Sequence, residues 1–187
     1  MDYILEYIEK EFSEHIKKHT FGVCETAKSL ANLYNADEEK AVTAALFHDL
    51  FKEITPFELQ TYASRFNLEE KYKNNINLAH SKIAAEIMTH EYDISDIDII
   101  NAVKFHTTGR ANMSLLEKIL YIADVIEPGR SYPGVEEIRE LAYVDLDKAC
   151  LAAMENTVEH LRKKGVVIDE DTIQAIEWLR KENENGK

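Results

Sequence analysis

A chain of 187 residues with 45% hydrophobic and 30% charged residues can bury one core and solvate its surface. Its formal net charge of -13 excludes a binder of polymeric nucleic acid, which needs a basic face to neutralise phosphates. A small phosphorylated ligand, held by a metal ion and a few cations, is not excluded.

The opening segment, Met1 to Lys10, carries acids and no apolar core of a signal peptide. No stretch reaches the roughly 18 uninterrupted apolar residues that a membrane span requires, so a cytoplasmic protein without membrane contact is expected. Apolar residues then recur at spacings of three and four, the helical period. Val23, Ala27, Leu30, Ala31 and Tyr34 form the first stripe, and Ala41, Ala44 and Ala45 begin the next. Thr55-Pro56-Phe57-Glu58 reads as a capping box with proline at the first helical position. The polar run Glu69–Asn75 is expected to be a surface loop or helix end. Ile83, Ala84, Ile87 and Met88 make a further stripe, followed by Ile99 with Val103, opened by a weaker cap at Ser95 and Asp98. Ser114-Leu115-Leu116-Glu117 is a second capping box, ahead of Leu116, Leu120 and Ala123. A long last stripe runs through Leu146, Ala149, Cys150, Ala153, Thr157 and Leu161, and Gly165 suits the position just past a helix end. Only Val166–Ile168 hints at a strand, and it is too short to found a sheet. The expectation is a single all-α domain over 1–187, of roughly eight or nine helices, with a C-terminal helical segment from about 145.

Cys24 and Cys150 lie in apolar helical patterns without a C-x-x-C pair, which suits buried free thiols. Imidazoles and carboxylates interrupt the stripes more tellingly. His19 lies four before Val23. His48 follows Ala41, Ala44 and Ala45 on one face, with Asp49 beside it. His80 precedes Ile83 and Ala84, His106 follows Val103, and Asp124 follows Leu120. A lone histidine on an apolar face is ordinarily a satisfied core residue, and a helical aspartate a solvated one. Here all six project inward from five separate helices, and buried charges need partners. One bound metal ion can satisfy several of them at once. His15, His90 and His160 lack this context and read as surface residues. No phosphate-binding glycine loop, H-E-x-x-H or nucleophile elbow is present.

The order His19, His48-Asp49, His80, His106, Asp124 resembles the HD superfamily of metal-dependent phosphohydrolases. The segments Ala45–Lys52, His106-Thr107-Thr108-Gly109 and Ile122–Arg130 resemble its YqeK family of symmetrical bis(5'-nucleosyl)-tetraphosphatases, from about His19 to about Thr172. The resemblance implies an HD-domain helical bundle, with His19, His48, Asp49 and Asp124 as metal ligands. It implies that His80 and His106 lie near the phosphates, or hold a second ion, and that Asp49, His80 and His106 serve catalysis. Thr107, Thr108 and Gly109 match a phosphate-contacting turn, Arg130 a phosphate-contacting cation, and Lys52 the lysine of HD-x-x-K. Each has a plainer reading: Arg130 can cap a helix or pair with Glu127, Lys52 can be a surface lysine, and the threonines can simply end a helix.

The implied reaction is hydrolysis of diadenosine tetraphosphate to two ADP. The alternatives are another HD phosphohydrolase, acting on a dNTP, a nucleoside monophosphate or ppGpp, or a non-catalytic nucleotide-sensing module. The ligand set suits one or two transition-metal ions, iron foremost, with manganese or zinc as competitors. Near the C-terminus Asp171 and Thr172 match a family segment expected to line the nucleoside pocket, but Glu170 replaces a usual proline and Glu177 a usual asparagine. That departure touches base preference and not the metal chemistry. Oligomeric state is left open.

Overall fold

The computed structural model describes residues 2–185. These form ten helices and no strand: α1 (Asp2–Glu11), α2 (Glu14–Leu33), α3 (Glu38–Phe47), α4 (Pro56–Arg65), α5 (Ile76–Glu91), α6 (Ile97–Phe105), α7 (Leu115–Ile126), α8 (Val135–Ala142), α9 (Leu146–Lys163) and α10 (Glu170–Asn185). The all-α reading holds, and the count is slightly above the expected eight or nine. The excess comes from short helices with weak signals. Thus α8 starts at Gly134, whose φ is 91° and which has no side chain to cap with.

Both expected capping boxes form: Thr55 closes on Glu58 and Ser114 on Glu117. The start of α6 is capped by Asp96 instead of the expected Ser95, through bonds from the Asp98 and Ile99 amides. Gly165 lies just past α9 at φ 68°, the left-handed position that a helix end favours glycine for. Val166–Ile168 is irregular and not a strand.

Helix α7 is the axis of the domain. Leu116, Ile119, Leu120, Ile122 and Ala123 are all buried, and α7 packs against α2, α3, α6, α8 and α9. Helices α5 and α4 extend the bundle on the α6 side, and α10 lies on α9. Alanines at the crossings (Ala27, Ala31, Ala41, Ala44, Ala45, Ala84, Ala102, Ala123) are fully buried. Small side chains let the helix backbones approach closely, so polar groups from α2, α3, α5, α6 and α7 can meet in one place. Among the described residues no helix is long and apolar enough to cross a membrane.

Candidate metal centre

His19 comes from the middle of α2, His80 from the first turns of α5 and Asp124 from the last turn of α7. His48 and His106 are the residues that end α3 and α6, and Asp49 follows in the turn after His48. Folding brings all six together as two trios. In each trio one ligand-type atom per residue lies within 4.8 Å of the others: His19, His48 and Asp124 in one, Asp49, His80 and His106 in the other. Asp49 joins them. Its Oδ2 is 3.6 Å from both His19 Nε2 and His48 Nε2, and its Oδ1 is 3.1 Å from His80 Nε2 and 3.6 Å from His106 Nε2. All four imidazoles and Asp49 are buried.

Local structure fixes the orientation of each ring. A helix leaves its last carbonyls without partners. His48 Nδ1 donates to Ala45 O at 2.6 Å, and His106 Nδ1 to Val103 O at 2.8 Å, so each ring folds back on the helix it ends. His80 Nδ1 donates to Ile76 O at 2.9 Å, one turn back in α5. His19 Nδ1 instead donates to a side chain, Glu127 Oε1, at 3.1 Å. With every Nδ1 proton committed, Nε2 of a neutral ring carries a bare lone pair. Burial pushes the His48 imidazole down to about 4 against the pull of Asp49, and lowers His80 as well, so both rings are neutral at pH 7.

His19 differs: against its burial, Asp124 and Glu127 raise its imidazole. Ring nitrogens of neighbouring helices stand close together. His19 Nε2 and His48 Nε2 are 3.2 Å apart, and His80 Nε2 and His106 Nε2 3.1 Å. Asp49 Oδ1 is buried among them with no hydrogen-bond donor. Burial opposes ionisation of the Asp49 carboxyl, and the Lys52 ammonium, 3.5 Å from its Oδ1, favours it. Asp124 is held down by His19 and Arg130 against its burial. Imidazole nitrogens and carboxylate oxygens converging this closely, with the His48 and His80 rings neutral, make the donor set that a divalent cation takes. The mixed nitrogen and oxygen donors fit a transition metal, with no thiolate in either trio.

The remaining expected residues separate into two groups. Lys52 Nζ is 3.4 Å from His80 Nε2 and 3.5 Å from Asp49 Oδ1, and Thr107 Oγ1 is 3.3 Å from His106 Nε2, so both are at the centre. Arg130 Nη2 bonds Asp124 Oδ1 and lies 3.4 Å from His19 Nε2. Its Nε is 3.9 Å from Glu127 Oε1, so the plainer pairing is also present in looser form. Thr108 is turned away: it is buried and donates to Gly109 O. Gly109 has φ 66°, and a Cβ there would meet Met154 Cε at 2.4 Å. Its glycine is explained by the backbone and by packing on α9. Asp171 and Thr172 begin α10, beside Lys82 and not in either trio.

Four further residues, Glu127, Gly22, Arg139 and Lys82, carry no assigned role in the sequence reading. Glu127 is buried at 4% exposure and orients His19, while its Oε2 accepts from Gly129 N at 2.5 Å. Gly22 makes room for it, since a Cβ at that position would lie 2.7 Å from Glu127 Oε2. Arg139, from α8, donates to the carbonyls of Ile126, Glu127 and Arg130 at 2.8 to 2.9 Å and so pins the loop that carries Arg130. Lys82 is 4% exposed, its Nζ has no hydrogen-bond partner, and it rests 4.1 Å from the centre of the Phe105 ring.

Residues 16–129 match the HD domain family. A protein of Halalkalibacterium halodurans named "Bis(5'-nucleosyl)-tetraphosphatase, symmetrical" is 41% identical over 94% of each chain. One of the same name from Bacillus subtilis is 38% identical over 94% of this chain and 95% of its own. A crystal structure from Clostridium acetobutylicum, described as a predicted HD superfamily hydrolase involved in NAD metabolism, superposes with a TM-score of 0.91 at 40% identity, over 97% of each chain. The chain therefore belongs to the HD domain family, in the branch that holds the proteins named symmetrical bis(5'-nucleosyl)-tetraphosphatases.

Proposed function

We propose that the protein hydrolyses diadenosine tetraphosphate, or a close dinucleoside tetraphosphate, at its centre to give two nucleoside diphosphates. The observation that carries this reading is the double trio astride Asp49, in a chain similar from end to end to proteins named for that reaction. His19, His48 and Asp124 would hold one divalent ion, and His80 and His106 a second, with Asp49 shared between them. The set suits iron, with manganese or zinc as competitors, and metal analysis of the purified protein distinguishes them. Such ions polarise phosphoryl oxygens and acidify water, which is the chemistry phosphate hydrolysis needs at neutral pH.

The chain's own residues supply the rest. Phosphoryl transfer depends on positioning and charge stabilisation more than on covalent chemistry. Lys52 and Arg130 stand at opposite ends of the centre, where they meet the negative charge of a polyphosphate from two sides. Thr107 Oγ1 adds a donor beside His106. Asp171 and Thr172, at the start of α10, are assigned to the wall of one nucleoside pocket. With one ADP moiety held there, its terminal phosphorus faces the centre, and the other ADP departs across the central bridge.

Hydrolysis in isotope-labelled water, followed by nucleotide chromatography, tests the reading. ADP is expected as the only nucleotide from the first time point, with label in one of each pair. Early AMP and ATP in equal amounts would overturn symmetrical cleavage and leave the metal centre standing.

A further inference from the structure

A dinucleoside tetraphosphate has two like halves, and cutting it at the centre requires both to be held on either side of the reacting phosphorus. The residues assigned above to a nucleoside, Asp171 and Thr172, serve one half only. At the other end of the metal centre stands Arg130. Beyond Arg130 the His19–Asp124 trio adjoins a cleft of about 460 Å³, between the loop that follows α7 and the outer face of α9. Arg130 belongs to both places. One side of its guanidinium reaches Asp124 and His19, and the side chain, 40% exposed, lines the cleft.

The chemistry of the cleft matches a nucleoside with its adjoining phosphate. Tyr132 and Pro133 give it flat apolar surfaces. The loop that carries them is fixed rather than loose: Tyr132 Oη donates to Val125 O at 2.9 Å, and Asn156 Nδ2 to Pro133 O at 3.0 Å. His160 and Lys163, from the last turn of α9, bring nitrogen groups to the same cleft in a chain whose net charge is -13. Lys163 pairs with Glu159 at 2.7 Å, but with side chains 72% and 67% exposed. A pair so exposed is worth little, so exchanging it for a phosphate costs little.

We propose that this cleft takes the second nucleoside of the dinucleoside tetraphosphate, its base against Tyr132 and Pro133 and its phosphate toward Arg130, His160 and Lys163. The proposal rests on the substrate reading above, and its test is one of binding, so that the two can fail separately. The probes are a methylene-bridged diadenosine tetraphosphate, which cannot be cut at the centre, and adenosine 5′-tetraphosphate, which has the same four phosphates and one adenosine. Titration calorimetry on the metal-loaded protein gives both affinities. A base stacked on an aromatic wall is worth roughly 1–3 kcal/mol, so the second adenosine should tighten binding by about tenfold or more. The exposed double variant His160→Glu/Lys163→Glu, and separately Tyr132→Ala, should close most of that gap between the two ligands. A wild-type protein that gains nothing from the second adenosine overturns the proposal, as do variants that retain the whole gain. Failure of the substrate reading appears elsewhere, as the absence of ADP when the wild type meets cleavable diadenosine tetraphosphate.

Discussion

The two halves of the metal centre are built from the same residue types but fixed by different means. In the half formed by Asp49, His80 and His106, both rings are anchored to main-chain carbonyls of their own helices, one turn or less away. These anchors form as the helices form, and no side-chain substitution removes them. In the half formed by His19, His48 and Asp124, only His48 is held that way. His19 depends on Glu127, 108 residues distant, and Asp124 is met by Arg130 from a loop that Arg139 must hold. The first half is therefore set by secondary structure and the second by tertiary contacts, and Arg130, which meets the second half, also lines the cleft beside α9.

The largest effect is expected where the halves meet. Asp49→Asn keeps the shape and removes the shared charge, so both ions should be lost and turnover of diadenosine tetraphosphate should fall to background. Metal ions contribute several kcal/mol to phosphoryl chemistry, on the order of a thousandfold or more in rate. Elemental analysis showing one ion retained at full occupancy would mean that the trios are independent and that Asp49 does not join them.

A smaller effect separates the halves. Glu127→Ala should weaken one ion by roughly 10- to 100-fold, the usual cost of losing an outer carboxylate, and leave the other near its original affinity. A two-phase chelator titration is expected in place of one phase. Glu127→Gln keeps an acceptor for His19 Nδ1 and should restore most of the affinity. Gly22→Ala should reproduce the defect from the other side, because its Cβ would lie 2.7 Å from Glu127 Oε2 and push the carboxylate off the ring. Equal weakening of both ions by Glu127→Ala would erase the distinction drawn between the halves.

What the sequence revealed follows the same division. All six ligand-type residues could be read from the apolar periodicity around them, because the helix period decides which face a residue takes. Lys52 and Thr107 came with them through the resemblance, and both stand at the centre. Glu127 did not, since only the packing of α2 on α7 brings it to His19, and along its own helix it reads as an acid near a C-terminus. Thr108 and Gly109 match a ligand-contacting turn in the sequence, and the structure adds local roles: the threonine bonds its neighbour's carbonyl and the glycine answers to φ and to Met154. A turn that shapes a site and a turn that touches a ligand have the same sequence. Lys82 left no usable signal, because a lysine in a helical stripe can carry its ammonium to water along a buried stem. Whether it does is decided by what surrounds it, here Phe105, Tyr72 and the start of α10.

That lysine provides the smallest and last test, of how rigid the helix-anchored half is. Lys82 stands two residues from His80 and packs on Phe105, the neighbour of His106, so it forms part of the wall behind both rings. Its Nζ lies 3.7 Å from Asp171 Oδ2, beyond a good hydrogen bond. Burial, opposed by Asp171 and Asp169, lowers the Lys82 ammonium from 10.5 to about 8. The folded chain thus gives up this proton near pH 8 and the unfolded chain near 10.5. Below pH 8 both states hold it, and the folded state bears the full cost of the buried charge. That cost shrinks as pH rises between the two values and is gone above them, where both states are neutral. The depression corresponds to on the order of 3 kcal/mol, and the contact with Phe105 offsets about 1 kcal/mol when Lys82 is replaced. Lys82→Met, of similar length and apolar, should therefore raise the melting temperature at pH 7 by about 4–8 °C. The gain should fade as the pH is raised toward 10.5, with metal content unchanged throughout. Thermal unfolding of both proteins at pH 7 and pH 10 reads this directly. A variant less stable than the wild type at pH 7, or a gain independent of pH, would show that the ammonium is satisfied where it stands. Loss of metal in Lys82→Met would show that the wall behind His80 and His106, and not the main chain alone, sets that half of the centre.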